Sequence, residues 1–599
     1  MEEKRWLEEL ILTAAGEKKA QLVLKGARVV NVFSEELEEA DVAVHGGRIV
    51  GLGSYEGETE VDVSGKIICP GFLDGHIHLE SSMVAPADFA RTVVPHGTTT
   101  VITDPHEIAN VAGTEGIDYI LDETEELDLD VFVMLPSCVP STGLDEAGAV
   151  LLAKQLRPYY SNPRVLGLAE LMNAYGTVHA DSDILDKVLD ARKAGKIIDG
   201  HAPGIGGNPL NAYAAAGVAA DHECSNAREA MEKLRRGQWI MIREGTAAQN
   251  LEALMPLCRA PYYHRCMFVT DDKHPGDLLK LGHIDYIIRK AVGLGADPIA
   301  AIKMGSLHAA QYFGLKDRGA VAPGYRADLV VLSNLEQMEV CQVYKDGRLV
   351  AGQGKMTEPG ADVQQEAGTA GKAAPQRPTG AAEKEARYPH VYQSFHLDEV
   401  TERDLCLTPR GCHERVLCLT PRELLTWEKV IPWAEYPGVA PGVNLAEDVV
   451  KLAVLERHHH TGHIGIGFLG GYGLRAGAVA TSVAHDSHNL IVAGVTDADM
   501  VLAANTVRKN RGGLAVVKDG TVLGELALPI GGVMTPEPAA QVEEKLEKLK
   551  ALTRELGIPD TIDAFMTLAF TSLPVIPRLR LNTYGLIDTE KQEVIGVTF

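Results

Sequence analysis

Between residues 70 and 318 the chain repeats one rhythm, a short apolar run followed by a longer stretch with helical spacing of apolar positions. The runs are the one ending at His76, then Thr99-Val-Ile-Thr, Asp130-Val-Phe-Val-Met-Leu, Arg164-Val-Leu-Gly-Leu, Lys196-Ile-Ile-Asp-Gly, Val218-Ala-Ala, Trp239-Ile-Met-Ile and Cys266-Met-Phe-Val-Thr. Strands alternating with helices predict a parallel sheet. The length suits an α/β fold of (β/α)8 TIM-like barrel type, which takes about 250 residues. A doubly wound open sheet fits the same periodicity.

The flanks have a different pattern. Short β-rich runs broken by Lys-Gly and Gly-Gly predict hairpins over Gln21–Phe33 and Ala40–Leu52. The pattern returns in Gly324–Leu332 and Gln342–Val350. One small β-sandwich is expected, built from residues 1–69 and 319–356 around the barrel at 70–318. Its first residues, Met1-Glu-Glu-Lys-Arg-Trp-Leu-Glu-Glu-Leu-Ile-Leu, are acidic and amphipathic, as in a docking helix and unlike a secretion signal. Residues 357–387, rich in Ala, Gly, Gln, Pro and Glu, predict a flexible linker. A C-terminal α/β domain is expected over 388–599. In it, Asp519-Gly520 signals a hairpin, and Val542, Leu546, Leu549, Leu552 and Leu556 mark one helix face closed by Gly557. The repeat of Leu405-Cys-Leu-Thr-Pro-Arg410 at Leu417-Cys-Leu-Thr-Pro-Arg422 is a local duplication without an assigned role.

Composition narrows the class. At 599 residues the chain exceeds a single core. A net charge of −25 argues against nucleic acid as a partner, since phosphate contacts need a basic face. No apolar run approaches the roughly 20 residues of a membrane span, so no membrane partner is expected. Nine cysteines without Cys-x-x-Cys fit a reducing cytoplasm.

The chemistry collects at the strand ends. His76 and His78 stand at i and i+2, on one side of an extended strand, beside Asp74 and Glu80. Strand two leads into Asp104-Pro-His106-Glu107, strand four ends at Glu170, strand five at His201, strand six at Asp221-His222, and strand eight at Asp271-Asp272. One such residue is ordinarily a core histidine or a helix-capping aspartate. Recurrence at the C-terminal ends of six strands places them on the face where barrel enzymes build active sites. His76, His78, His201 and His222 with the carboxylates of Glu170 and Asp271 suffice for two metal ions about 3.5–4 Å apart, with Glu170 as the bridge. Nitrogen and oxygen donors without cysteine suit Mn, Fe or Zn alike. Asp271 is expected to take the proton of the attacking water and return it to the leaving group.

This constellation, with its split β domain and Gly71-Phe-Leu-Asp-Gly-His-Ile-His78 start, resembles the amidohydrolase superfamily. Many members bridge their metals with a carboxylated lysine, and here Glu170 takes that place. Three further stretches narrow the likeness to the bacterial adenine deaminases: His76-Ile-His-Leu-Glu-Ser-Ser-Met83, Thr103-Asp-Pro-His-Glu-Ile-Ala-Asn-Val111 and Phe268-Val-Thr-Asp-Asp272. Ser482-Val-Ala-His-Asp-Ser-His-Asn489 and Phe565–Pro577 extend it to the C-terminal domain. The resemblance implies a cytoplasmic homo-oligomer, a dimer, that hydrolyses adenine to hypoxanthine and ammonia with two manganese ions per chain, iron or zinc being alternatives. A metal-bound hydroxide would attack C6 of the purine. A second acid near the ring is then required, and Glu80, His106 and Glu107 are its candidates; each serves equally well as support for a ligand. With Asp272 they form the expected substrate contacts. Opening of a cyclic amide is the competing reaction, and a barrel without chemistry the competing class.

Two motifs stand apart. Gly465-Ile-Gly467-Phe-Leu-Gly470 matches a dinucleotide fingerprint but lacks the preceding buried strand, so it reads as turn and close-packing glycine. His458-His-His460 with His463 is expected to be structural or to help close the barrel mouth. His485-Asp486-Ser487-His488 fits a buried hydrogen-bond network, a third metal site or a substrate lid, with the network favoured.

Overall fold

The computed structural model describes residues 2–246, 248–357, 380–420 and 425–599. Eight parallel strands follow the apolar runs: β1 (Phe72–Ile77), β2 (Thr98–Thr103), β3 (Asp130–Leu135), β4 (Val165–Leu171), β5 (Ile197–Gly200), β6 (Ala220–Asp221), β7 (Trp239–Arg243) and β8 (Cys266–Val269). They form two arcs, β1 to β5 and β6 to β8, each in chain order. Both seams carry hydrogen bonds. Ala219 N–H reaches the Ile198 carbonyl at 2.9 Å, and Asp271 N–H reaches the His76 carbonyl at 3.0 Å. The result is a barrel of TIM type.

Adjacent residues of each strand separate into two cores, which explains why the strands read as continuous apolar runs. Leu73, Ile102, Met134, Ala169, Met241 and Met267 share one cluster with Tyr312 and Phe313. Their neighbours Val101, Val133 and Leu168 pack outward with helix residues such as Phe89, Ile117 and Ile120. Phe268 and Ile240 do the same against Ile284, Ile287 and Ile302. Three methionines, Met134, Met241 and Met267, stand among the inner side chains.

Strands from both flanks of the barrel share one seven-stranded sheet. Ile67–Pro70, immediately before β1, pairs in antiparallel register with Leu329–Leu332, and Val340–Lys345 follows on its far side. A four-stranded sheet (Ala20–Lys25, Asp41–His45, Arg48–Gly53, Gly57–Asp62) faces it through Leu24, Val44, Val29, Ile68 and Val331. The expected hairpin over Gln21–Phe33 is not formed. Ala20–Lys25 and Arg28–Asn31 lie in different sheets, because Gly26, at φ +75°, turns the chain from one to the other. The second hairpin, Asp41–His45 with Arg48–Gly53, does form.

Of the stretch read as a linker, residues 358–379 lie outside the described residues. Ala381–Arg387 is a helix tied to the barrel by Lys384–Glu123 and Arg387–Asp122. The C-terminal part centres on an eight-stranded sheet from His413 to Ala527. The Asp519-Gly520 turn has both residues at positive φ (50° and 72°), as a two-residue hairpin needs. Helix Ala539–Glu555 buries Val542, Leu546 and Leu549. The fingerprint-like glycines lie within strand Ile464–Gly470 and not in a turn, and a Cβ on Gly465 would stand 1.8 Å from the Asn582 carbonyl oxygen. Barrel and C-terminal part share one apolar cluster, in which Ile77, Val84 and Ile108 meet Ile530, Val533 and Met534. Thr535 also exchanges backbone hydrogen bonds with Met83 and Ala85, each 2.9 Å.

Candidate active site

Each ligand-type residue sits where a barrel strand stops. His76 closes β1, and His78 follows it in extended conformation (φ −100°, ψ 105°), so both rings leave on one side. The His76 ring stacks on His222 with centroids 4.2 Å apart and stands edge-on to His78 at 4.9 Å. Glu170, the penultimate residue of β4, lies among four rings. Its Oε1 is 3.3 Å from His78 Nε2 and 3.4 Å from His106 Nδ1, while its Oε2 is 2.7 Å from His201 Nδ1 and 3.3 Å from His222 Nε2. Asp271 forms the second centre. Its Oδ1 is 3.5 Å from His76 Nε2 and 3.3 Å from His78 Nε2, and its Oδ2 accepts from Arg243 Nη1 at 2.8 Å. Asp271 has φ +60°, a left-handed backbone that costs about 1–3 kcal/mol and occurs where a fold over-determines it. Here the seam bond to His76 fixes it.

The electrostatics follow from burial. Burial alone would raise the Glu170 and Asp271 carboxyls, but the surrounding histidines and, for Asp271, Arg243 outweigh it, so both lie well below the usual range. Burial pushes the Glu80 carboxyl up to about 7, even though its Oε1 accepts the Ile108 N–H at 3.0 Å. Glu80 Oε2 and His76 Nε2 are buried without hydrogen-bond partners. Asp272 Oδ1 accepts from the Ser81 hydroxyl.

Three further neighbours, Glu223, Asp104 and Arg243, complete the cluster, and only Asp104 is marked in the sequence, without an assigned role. Glu223 Oε1 is 3.4 Å from His222 Nε2 and 3.5 Å from His201 Nδ1, and its carboxylate is paired with Arg243. Asp104 holds His106 Nδ1 at 2.9 Å, and its carbonyl is 3.0 Å from His78 Nδ1. Arg243 ends β7, the same strand-end position as the others, but a guanidinium is not a metal ligand, so its type does not mark it in the sequence. Asp221, by contrast, turns away from the cluster to Lys233 Nζ at 2.9 Å and to the Ala202 N–H.

The opposite wall comes from far along the chain. His485 Nδ1 bonds Glu107 Oε1, His488 Nε2 bonds Glu107 Oε2, and Asp486 Oδ1 stands 3.8 Å from His106 Nε2. All are buried. Burial would raise the Glu107 carboxyl, but His485, His488 and His106 hold it well below its usual range. Burial opposes charge on His485 also, yet the Glu107 anion takes its ring to about 9, and burial lifts Asp486 to about 7. The histidine run before it grips the barrel loop after β3: His459 Nε2 meets the Ala147 carbonyl at 3.1 Å, and His463 Nδ1 meets Glu146 Oε1 at 3.0 Å.

A parallel barrel with histidines and carboxylates at its C-terminal strand ends is the architecture of the metal-dependent amidohydrolases, and residues 67–350 match the family model described as "Amidohydrolase family". Residues 428–593 match a second model, "Adenine deaminase C-terminal domain". Relatives resemble the chain over its whole length. Adenine deaminase 2 of Carboxydothermus hydrogenoformans is 46% identical across 99% of each chain. The adenine deaminases of Bacillus pumilus and Kosmotoga olearia are each 43% identical across 98% of each chain. The chain belongs to the adenine deaminase family.

Proposed function

We propose that the chain hydrolyses adenine to hypoxanthine and ammonia. The observation that carries this reading is that Glu170 and Asp271 draw together His76, His78, His201 and His222, in a chain similar over its full length to proteins named adenine deaminase. His76, His78, Glu170, His201, His222 and Asp271 would hold two divalent ions, and manganese is the assignment we favour. The donor set fits. A buried ring nitrogen of His76 without a partner, next to a carboxylate oxygen, is where a cation would be bound. When bound, such ions acidify water and supply the nucleophile at neutral pH.

The remaining work falls to side chains. Asp271, oriented by Arg243, accepts the water's proton and delivers it to the departing amino nitrogen. Glu80 carries a proton up to about pH 7 and has an oxygen to spare, so it protonates the purine ring and makes C6 more electrophilic. Glu107, kept ionised by His485 and His488, acts as an acceptor and not as that acid. His106 and Asp272 complete the substrate contacts. We further infer a sandwich from 1–69 and 319–356 around a barrel at 70–318, a C-terminal domain over 388–599, a cytoplasmic location and a homodimer.

Ammonia release from adenine, adenosine, guanine and cytosine by manganese-loaded protein tests the reading. Adenine alone is expected to react well. A protein that ignores adenine but opens a hydantoin or lactam would overturn it.

A further inference from the structure

The turn Ala484–His488 belongs to the C-terminal part, yet its side chains end inside the barrel site. Buried Arg457 anchors it, donating Nε to the His488 carbonyl and Nη2 to the Gly531 carbonyl at 2.8 Å. His488 adopts φ +53°, which brings its ring back over the turn. There its Nδ1 receives the Ala484 backbone N–H at 3.1 Å. A backbone amide is always a donor, so Nδ1 must offer a lone pair and the ring proton must sit on Nε2. That proton points at Glu107 Oε2. His485 takes the other oxygen through Nδ1, and its ring is stacked on Phe570, 4.5 Å between centroids and 14° between planes. Each oxygen of Glu107 thus has its own imidazole, and neither ring is free to rotate.

We propose that His485 and His488 are positioning residues of the reaction, holding Glu107 as a fixed acceptor beside His106, so that the C-terminal part completes the active site. The proposal rests on the adenine deaminase reading for its kinetic consequence, though not for its geometry. An ion held by the same three residues is disfavoured by the proton that Ala484 leaves on His488 Nε2. Glu107 Oε1 is 3.3 Å from His106 Nε2, and His106 Nδ1 is 3.4 Å from Glu170 Oε1, so a tilt of Glu107 is felt at the centre of the cluster.

The test uses the whole manganese-loaded enzyme. Glutamine places an N–H donor where Nε2 lies and asparagine places one where Nδ1 lies, so H488Q and H485N should keep most of the turnover. H488A and H485A should lose kcat about 10- to 100-fold, the usual cost of losing a residue that orients an active-site group, with KM changing far less. H463A, which removes a ring that meets Glu146 of the loop after β3 and the Tyr584 ring and lies outside the Glu107 cluster, is the control for general loosening of the interface. Equal kcat in H488A and wild type, or equal losses in H488A and H463A, would overturn the proposal. Magnetic resonance of histidine-labelled enzyme reads the tautomer directly, with the H488Q spectrum identifying the signal. The Nε2–H form is expected, and it should shift in E107Q. An Nδ1–H form overturns the proposal even if H488A fails to fold or the wild type ignores adenine, which would instead refute the functional reading.

Discussion

The two walls of the active site are built in opposite ways. On the barrel wall, each chemical residue stands at the end of an apolar run, and the sheet delivers it: His76 in β1, Glu170 in β4, His222 after β6, Asp271 after β8. The backbone does the positioning, and the side chains need only the right type. On the C-terminal wall, one turn supplies His485, Asp486 and His488 together, and its shape depends on local devices such as the left-handed His488 and buried Arg457. A single turn outside the sheet has no strand to fix it, so the second wall needs its own scaffold of hydrogen bonds. The walls meet at Glu107, which starts from the barrel and is held by the turn.

Mutations can break this comparison, and the largest effects should come from the barrel wall. Asp271→Asn should retain its ions in metal analysis yet lose about 10²–10⁴-fold in kcat, the range for removing a general acid–base group; near-normal turnover would refute the shuttle role. Glu170→Ala removes the carboxylate shared by His78, His201 and His222, and at least one ion per chain should be lost. Full metal content in that variant would count against the bridge.

Glu80→Gln should cost about 10²-fold or more and should also change the pH profile. The Glu80 carboxyl is lifted to about 7, so its acid form is present below that pH and lost as pH rises through it. Wild-type kcat/KM should therefore fall on the alkaline side of about 7, and the Gln variant, which has no proton to lose there, should lack that limb. An unchanged limb would assign the acid elsewhere. The smallest effect is expected from His463→Ala. Its side chain is half exposed, and such an ion pair is worth about 0–1 kcal/mol, so thermal melting should move by only a few degrees. A large drop would mean that the loop after β3 depends on this grip.

Legibility in the sequence follows the same division. Continuous apolar runs ending in histidine or carboxylate name the strands and the metal-type residues, because a parallel strand buried on both faces is apolar throughout. The resemblance of His76–Met83 and Thr103–Val111 to the adenine deaminases added the family. The expected hairpin over Gln21–Phe33 failed because a glycine turn serves a crossover between sheets as well as it serves a hairpin. Glu223 is not legible because its neighbour His222 occupies the strand-end position, nor is Arg243, because a guanidinium is not a metal ligand.

The sequence by itself determined the alternating parallel strands, the residue types at their ends and the family, since each is written in local periodicity or contiguous motif. Only the tertiary structure decided what faces that chemistry. The contact between Glu107 and His488 spans 381 positions of chain, and no local pattern encodes it. The fold brings them together because a shared apolar core, from Ile108 to Val533, docks the C-terminal part against the barrel mouth.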